Sequence, residues 1–303
     1  MVFQCKRQHT FFAKDRINQR NGSSKNENQN NSTNLKGKTT GTVYNNKCVN
    51  LVGYSDDDDD DHDGKINNYS DHHQDDADDH NLNNHDQDFL TIVISQNEDS
   101  NDYAHYIWDC SIVLSFFIWS KDYKEFWSNK VSLEIGSGVS LPSILLTKLH
   151  LLNNTSNSPI SKLVIITDRN DNSFTEIKNN IITSCNLNEI HDLPLILPFS
   201  YGDNNLNNDE IVNVDYLFVS DCFYDNTIDY DNIFSTFYYF FQKNNKLKIY
   251  LTYQLRCVEK SISSYLNKWG IKASLIDNDS FLPNRIISLL KSEIFLYQLE
   301  LQA

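Results

Sequence analysis

From Val131 onward, short β-type runs alternate with helical stretches, and that alternation restricts the chain to very few architectures. VSLEI (131–135) is a strand candidate, followed by a turn and by PSILLTKLH (142–150), where Pro142 suits a first helical turn. LVIIT (163–167) is the next strand, and a polar turn leads into SFTEIKNNIITSC, in which Phe174, Ile177 and Ile181 share one face. LILPF (195–199), YLFVS (216–220) and LKIYLT (247–252) are further strands. Asn232–Phe241 reads as an aromatic helix and Val258–Trp269 as another, before the alternating run EIFLYQLEL. A series of this kind packs as an α/β fold, a doubly wound and mostly parallel sheet with helices on both faces. The last run is expected to add an antiparallel edge strand.

Before Phe89 the composition is of another kind. Residues 1–54 are polar, with nine Lys and Arg against two acids, a balance of +7. Residues 55–88 carry fourteen Asp, five His and one Lys, a balance of −13. Neither stretch offers enough apolar surface to offset chain entropy, so 1–88 is expected to be a disordered low-complexity tail. Residues 89–303 suffice for one domain with a full core. That domain holds sixteen basic and twenty-five acidic residues, a balance of −9, which favours a basic protein partner over nucleic-acid phosphates.

Asp59, Asp61, Asp63, Gly64 and Ile66 match the front half of a calcium-binding loop. The twelfth position, which needs a bidentate Glu, is Ser70, and no amphipathic helix flanks the run, so no metal site is assigned. The six cysteines lie far apart without a CxxC pair, which fits a reducing compartment. The opening MVFQCKRQHTFFAKDR lacks the apolar core of a secretory signal, and runs such as Ile112–Trp119 are too short to span a bilayer. A location in the cytosol or nucleus is expected, with no membrane contact.

In doubly wound sheets ligands bind beyond the carboxyl ends of the strands, so those positions carry the functional signal. The first strand runs into Glu134-Ile135-Gly136-Ser137-Gly138-Val139-Ser140-Leu141-Pro142. Two glycines one residue apart let the backbone turn sharply and approach a ligand, and Glu134 ahead of them could hold a cationic or hydroxyl-bearing group. A dinucleotide fingerprint would want a third glycine where Leu141 stands, which argues against NAD. The second strand ends in Thr167-Asp168, and a carboxylate there can take both ribose hydroxyls or simply cap the following helix. Ser200-Tyr201-Gly202-Asp203 and Ser220-Asp221-Cys222-Phe223-Tyr224-Asp225 follow the next two strands, offering a ring for an adenine and carboxylates for a substrate. Taken alone, these two are also compatible with a turn and a helix cap.

The stretch Tyr106–Cys110, then EIGSGVSLP, ITD, SYGD, SDCFYD and Leu251–Arg256, follow one another as in a known family. The chain resembles the seven-β-strand, Rossmann-like S-adenosylmethionine-dependent methyltransferases, in the branch called methyltransferase-like protein 23. The resemblance covers nearly all of 89–303 and none of the preceding stretch. It implies that Trp108 covers the cofactor and that Glu134, Gly136 and Gly138 cradle its methionine part. It further implies that Asp168 binds the ribose, with Arg169 near the adenine and Tyr201 and Gly202 at the adenine edge. The family commonly has Trp where this chain has Tyr201. Ser220 and Asp221 would lie near the transferable methyl, with Tyr224 as a wall of the acceptor pocket.

Chemistry of that type works mostly by alignment and exclusion of water, and needs no metal. Asp221 is the first candidate to orient an acceptor nitrogen and take its proton, and Asp225 the second. Cys222 has no His at hand and reads as structural. Through the resemblance, the expected activity is methylation of a basic protein, arginine in histone H3 foremost; the residues do not give the oligomeric state, and a monomer is the expectation. Lysine or a small-molecule amine is the alternative acceptor, and a non-catalytic cofactor-binding protein the alternative class.

Overall fold

The computed structural model describes residues 45–52, 89–97, 100–153, 158–203, 211, 213–224, 229–256 and 261–302. Residues 1–44 and 53–88, with the calcium-loop-like run, and Asp225 lie outside the described residues.

Seven strands form the central sheet. They are β3 (Ser132–Ile135), β4 (Val164–Asp168), β5 (Leu195–Pro198), β6 (Tyr216–Ser220), β7 (Lys248–Tyr253), β8 (Ile271–Ile276) and β9 (Phe295–Leu301). Their order is β5-β4-β3-β6-β7-β9-β8. The five from β3 to β7 pair in parallel, and β9 runs antiparallel to both β7 and β8. The final strand is therefore antiparallel as expected, but it sits one place inside the edge. The edge is β8, which was not anticipated because Lys272 and Ser274 break its apolar run, a composition typical of edge strands.

Pleating sorts the strand residues onto two faces. Leu133, Ile135, Leu217, Val219, Ile249 and Leu251 pack under helix α4 (Tyr230–Lys243). That helix presents Tyr230, Ile233, Phe234, Phe237, Phe240 and Phe241 at helical spacing. Val164, Ile166, Phe218 and Tyr250 face the other layer, made of α1 (Asp109–Trp119), α2 (Leu141–Asn153) and α3 (Phe174–Leu187). Helix α1 is buried from Cys110 to Ile118, which accounts for its lack of a polar face. The short α5 (Ser263–Lys268) and α6 (Asn284–Ile287) flank the C-terminal strands. Of the helix expected over Val258–Trp269, α5 covers Ser263–Lys268, and residues 258–260 lie outside the described residues.

A second, two-stranded sheet joins β1 (Asn45–Val52) and β2 (Phe89–Gln96) antiparallel, with Val52 opposite Phe89. Strand β1 lies within residues 1–88, the stretch expected to be a low-complexity tail. Leu90, Ile92 and Ile94 of β2 enter the core beside α2 and α3. Asn188 stands in for a neighbouring strand: its Oδ1 accepts from the Val93 N–H at 2.8 Å and its Nδ2 donates to the Val93 carbonyl at 2.7 Å. The Ser95 N–H donates to Ser184 Oγ at 3.0 Å.

Candidate active site

The direction of the crossovers changes at β3, which lies between β4 and β6, and the loops after these strands part there to leave a crevice. A cleft of about 500 Å³ occupies that place. The loop from Gly136 to Val139 forms one wall, Asp168 and Arg169 a second, and Phe199–Tyr201 a third. Ser220–Cys222, Tyr224 and Arg256 lie beyond, and Tyr103, Tyr106 and Trp108 close the top.

The glycine loop is held from below by Glu134. This carboxylate is fully buried, and its Oε2 accepts from Ser140 Oγ (3.0 Å) and from the Ser143 N–H (3.2 Å) at the start of α2. Burial pushes its pKa up to about 7, against the lowering effect of those hydrogen bonds, and Oε1 has no partner among the described residues. Glu134 is thus placed behind the loop rather than among the residues that line the cleft. Gly136 (φ +61°) and Gly138 (φ +52°) adopt left-handed backbone. A Cβ at Gly136 would stand 2.0 Å from Tyr201 Oη, and one at Gly138 would stand 3.1 Å from the Ala104 carbonyl oxygen.

Asp168, at the end of β4, accepts from the Gly138 N–H at 2.7 Å through one oxygen and from the Arg169 N–H at 2.8 Å through the other. Burial raises its pKa. Helix α3 starts only at Phe174 with Ser173 as its N-cap, so the capping alternative for Asp168 falls away. Each carboxylate oxygen keeps acceptor capacity toward the cleft. Arg169 pairs with Asp102 and, at 3.1 Å, with Asp171. Asp102 also accepts from the Ala104 N–H at 3.0 Å, which ties the aromatic cover to the β4 end. Trp108 precedes α1, and its Nε1 donates to the Tyr103 carbonyl at 2.9 Å.

Tyr201 crosses the floor and donates its hydroxyl to Cys222 Sγ at 2.8 Å. Gly202 turns away from the cleft, its N–H donating to Thr236 Oγ1 of α4 at 2.9 Å. Cys222 is buried, and burial pushes its thiol up to about 12, which suits the structural reading. Asp221 has left-handed backbone (φ +54°) and is 7% exposed. Helix α4 begins nine residues later, with Asp229 as its N-cap, so Asp221 is not the cap of α4. Both of its oxygens are taken by Arg256, Nη1 at 2.9 Å and Nη2 at 2.7 Å. The carboxylate expected to be available to an acceptor is therefore engaged by a residue of its own chain.

The cleft brings together Trp108, Gly136, Gly138, Asp168, Arg169, Tyr201, Ser220, Asp221 and Tyr224. Glu134 and Gly202 lie outside its lining, in supporting positions. Residues not anticipated include Tyr103, whose ring meets Trp108 at 5.8 Å and Tyr224 at 5.9 Å, and Arg256 in its role as partner of Asp221. Arg256 follows β7, and strand-end position is the signal that could have singled it out.

Residues 84–269 match a family model described as lysine methyltransferase. Methyltransferase-like protein 23 of Dictyostelium discoideum is 41% identical over 265 residues, which cover 82% of this chain and 91% of that protein. The chain belongs to this methyltransferase family. A mouse relative named histone-arginine methyltransferase METTL23 is 28% identical over 179 residues, 59% of this chain and 64% of its own length. The human protein of the same name is 28% identical over 176 residues, 58% of this chain and 84% of its own length.

The methyltransferase takes S-adenosylmethionine as cofactor, and its residues fit that group. At Gly136 and Gly138 the backbone lies so close to Tyr201 and Ala104 that no side chain fits, and bare peptide groups line the cleft there. Ser137 Oγ, buried and without a partner among the described residues, lies in the lining between them. The volume is within the range of small-molecule sites.

Proposed function

We propose that this methyltransferase modifies a cationic side chain of a basic protein, an arginine foremost, with histone H3 as candidate substrate. The observation that carries the reading is Asp221, a buried carboxylate beneath a mouth edged by Tyr103, Trp108 and Tyr224. That carboxylate already binds one cation, the Arg256 guanidinium, and under aromatic rings it suits an acceptor guanidinium or ammonium that takes the place of Arg256, through charge-assisted hydrogen bonds and cation–π attraction. The net charge of −15 favours a basic partner, and the names of the mouse and human relatives point to histone arginine. Lysine is the second reading, carried by the description of the matching family model.

When bound, S-adenosylmethionine supplies an electrophilic methyl group on a sulfonium centre. Gly136 and Gly138 would hold its methionine part and Asp168 its ribose hydroxyls, with Arg169 and Tyr201 toward the adenine and Trp108 as cover. Glu134 supports the loop from behind. Tyr224 bounds the acceptor pocket, and Asp221 orients the acceptor nitrogen next to Ser220. Asp225 remains the second acidic candidate. A monomer working in nucleus or cytosol fits such a substrate.

Calorimetric titration of the full chain with S-adenosylhomocysteine, beside Asp168→Ala, tests the cofactor site. The variant should bind at least about tenfold more weakly, because hydrogen bonds to a charged group contribute ~1.5–3 kcal/mol each. Absence of binding to the folded wild type would refute the enzymatic reading. Methyl transfer to histone H3 peptides bearing arginine or lysine then separates the two acceptors.

A further inference from the structure

The Asp221–Arg256 pair joins the ends of two adjacent strands. Ser220 lies opposite Thr252 in the β6–β7 ladder, and the Asp221 N–H donates to the Thr252 carbonyl at 3.1 Å. The carboxylate is thereby held at the crevice in a left-handed conformation that residues with a side chain rarely adopt. Arg256 meets it as a fork, two N–H groups on two oxygens. Its side chain is 26% exposed, and Gln254–Arg256 belong to neither helix nor strand, so the guanidinium has a path to water. Beside it stand Tyr224, at 42% exposure, and Trp108, at 40%.

We propose that Arg256 is a placeholder for the acceptor: its guanidinium occupies Asp221 until the side chain to be methylated replaces it, and this exchange selects arginine over lysine. The inference rests on the reading of the cleft as a protein methyltransferase site. Leaving Asp221 buried and unpaired is costly, so the carboxylate releases Arg256 only to a group that restores both hydrogen bonds. An incoming guanidinium presents the same planar fork and makes the exchange like for like. An ammonium is a compact point charge whose three donors do not reproduce that fork, so the exchange leaves one oxygen poorly served. The aromatic edge of Tyr103, Trp108 and Tyr224 accepts the flat face of the arriving guanidinium.

The test measures binding of a fluorescent arginine-bearing histone H3 peptide, and of the same peptide with lysine for arginine, to the full chain saturated with S-adenosylhomocysteine. Wild type is compared with Arg256→Ala and with Arg256→Gln, whose shorter, neutral amide lacks the guanidinium fork. Both variants should bind the arginine peptide at least fivefold more tightly than wild type, with a smaller gain for the lysine peptide. Methylguanidine should compete with the peptide more effectively in the variants, where Asp221 is vacated. Unchanged or weaker binding of the arginine peptide, with cofactor-product binding intact, overturns the proposal and makes Arg256 a support for Asp221. Equal gains for both peptides also overturn it, since simple removal of a positive charge would then suffice. Failure of the wild type to bind S-adenosylhomocysteine refutes the methyltransferase reading, and the proposal falls with it.

Discussion

The hydroxyl of Tyr201 lies where any side chain on Gly136 would have to stand. A Cβ there meets Tyr201 Oη at 2.0 Å and Cys222 Sγ at 2.9 Å, and the backbone is left-handed besides. Gly136→Ala should therefore displace the loop, lower stability by about 1–3 kcal/mol and weaken S-adenosylhomocysteine binding more than tenfold. Adding Tyr201→Phe removes the nearest obstacle and should restore part of both losses. A calorimetric double-mutant cycle checks this; strict additivity of the two changes would show that the contact does not govern the loop.

Glu134 makes stability depend on pH. Burial keeps its carboxyl protonated up to about 7 in the folded chain, against an ordinary value of 4.5. Between those values the folded state binds more protons than the unfolded one, so this contribution is complete below about 4.5 and is lost as pH rises toward 7. The size is on the order of 3 kcal/mol. Glu134→Gln keeps an oxygen for Ser140 and Ser143 without the titration. Its melting temperature should fall less than that of wild type between pH 5 and pH 8. Parallel curves would count against a titrating Glu134.

His150 acts in the opposite direction. Burial lowers its pKa to about 4, and its Nδ1 bonds the Tyr123 hydroxyl at 2.7 Å. Its share of stability is present above the unfolded value near 6.5 and is lost as pH falls toward 4. Replacing it by Asn should flatten the acid limb of the stability profile, read by urea denaturation, while leaving the alkaline limb in place.

Asn188 closes the second edge of β2, with hydrogen bonds to both polar groups of Val93 and a third, at 2.6 Å, to the Ser184 carbonyl. Asn188→Ala removes this partner from the part-buried N–H and carbonyl of Val93, at a cost of about 1–3 kcal/mol. Amide exchange at Val93 should accelerate sharply while that of β6 and β7 changes only with global stability. If Val93 keeps its protection, another group has taken over the edge.

Much of the fold was legible because the alternation of apolar runs is a direct record of burial. The stretches 195–199 and 216–220 are strands because both faces of a parallel sheet are covered, which leaves an apolar run in the sequence. Strand β8 was not legible, since Lys272 and Ser274 on an edge face water and erase the pattern. Strand β1 was missed for a similar reason: Asn45, Asn46 and Asn50 make it look like the polar segment around it. Strand ends and glycine spacing pointed to the loops that line the cleft. What they could not convey was pairing. That Glu134 supports the loop from behind, or that Arg256 reaches back to Asp221, depends on side-chain direction across elements far apart in the chain.

The β1–β2 ribbon also changes how the Asp-rich segment is attached. Because Val52 is paired with Phe89, the 36 residues between them leave and rejoin the fold at a single point. A chain cut anywhere between Val52 and Phe89 would therefore leave β1 held to β2 by eight residue pairs rather than set it free.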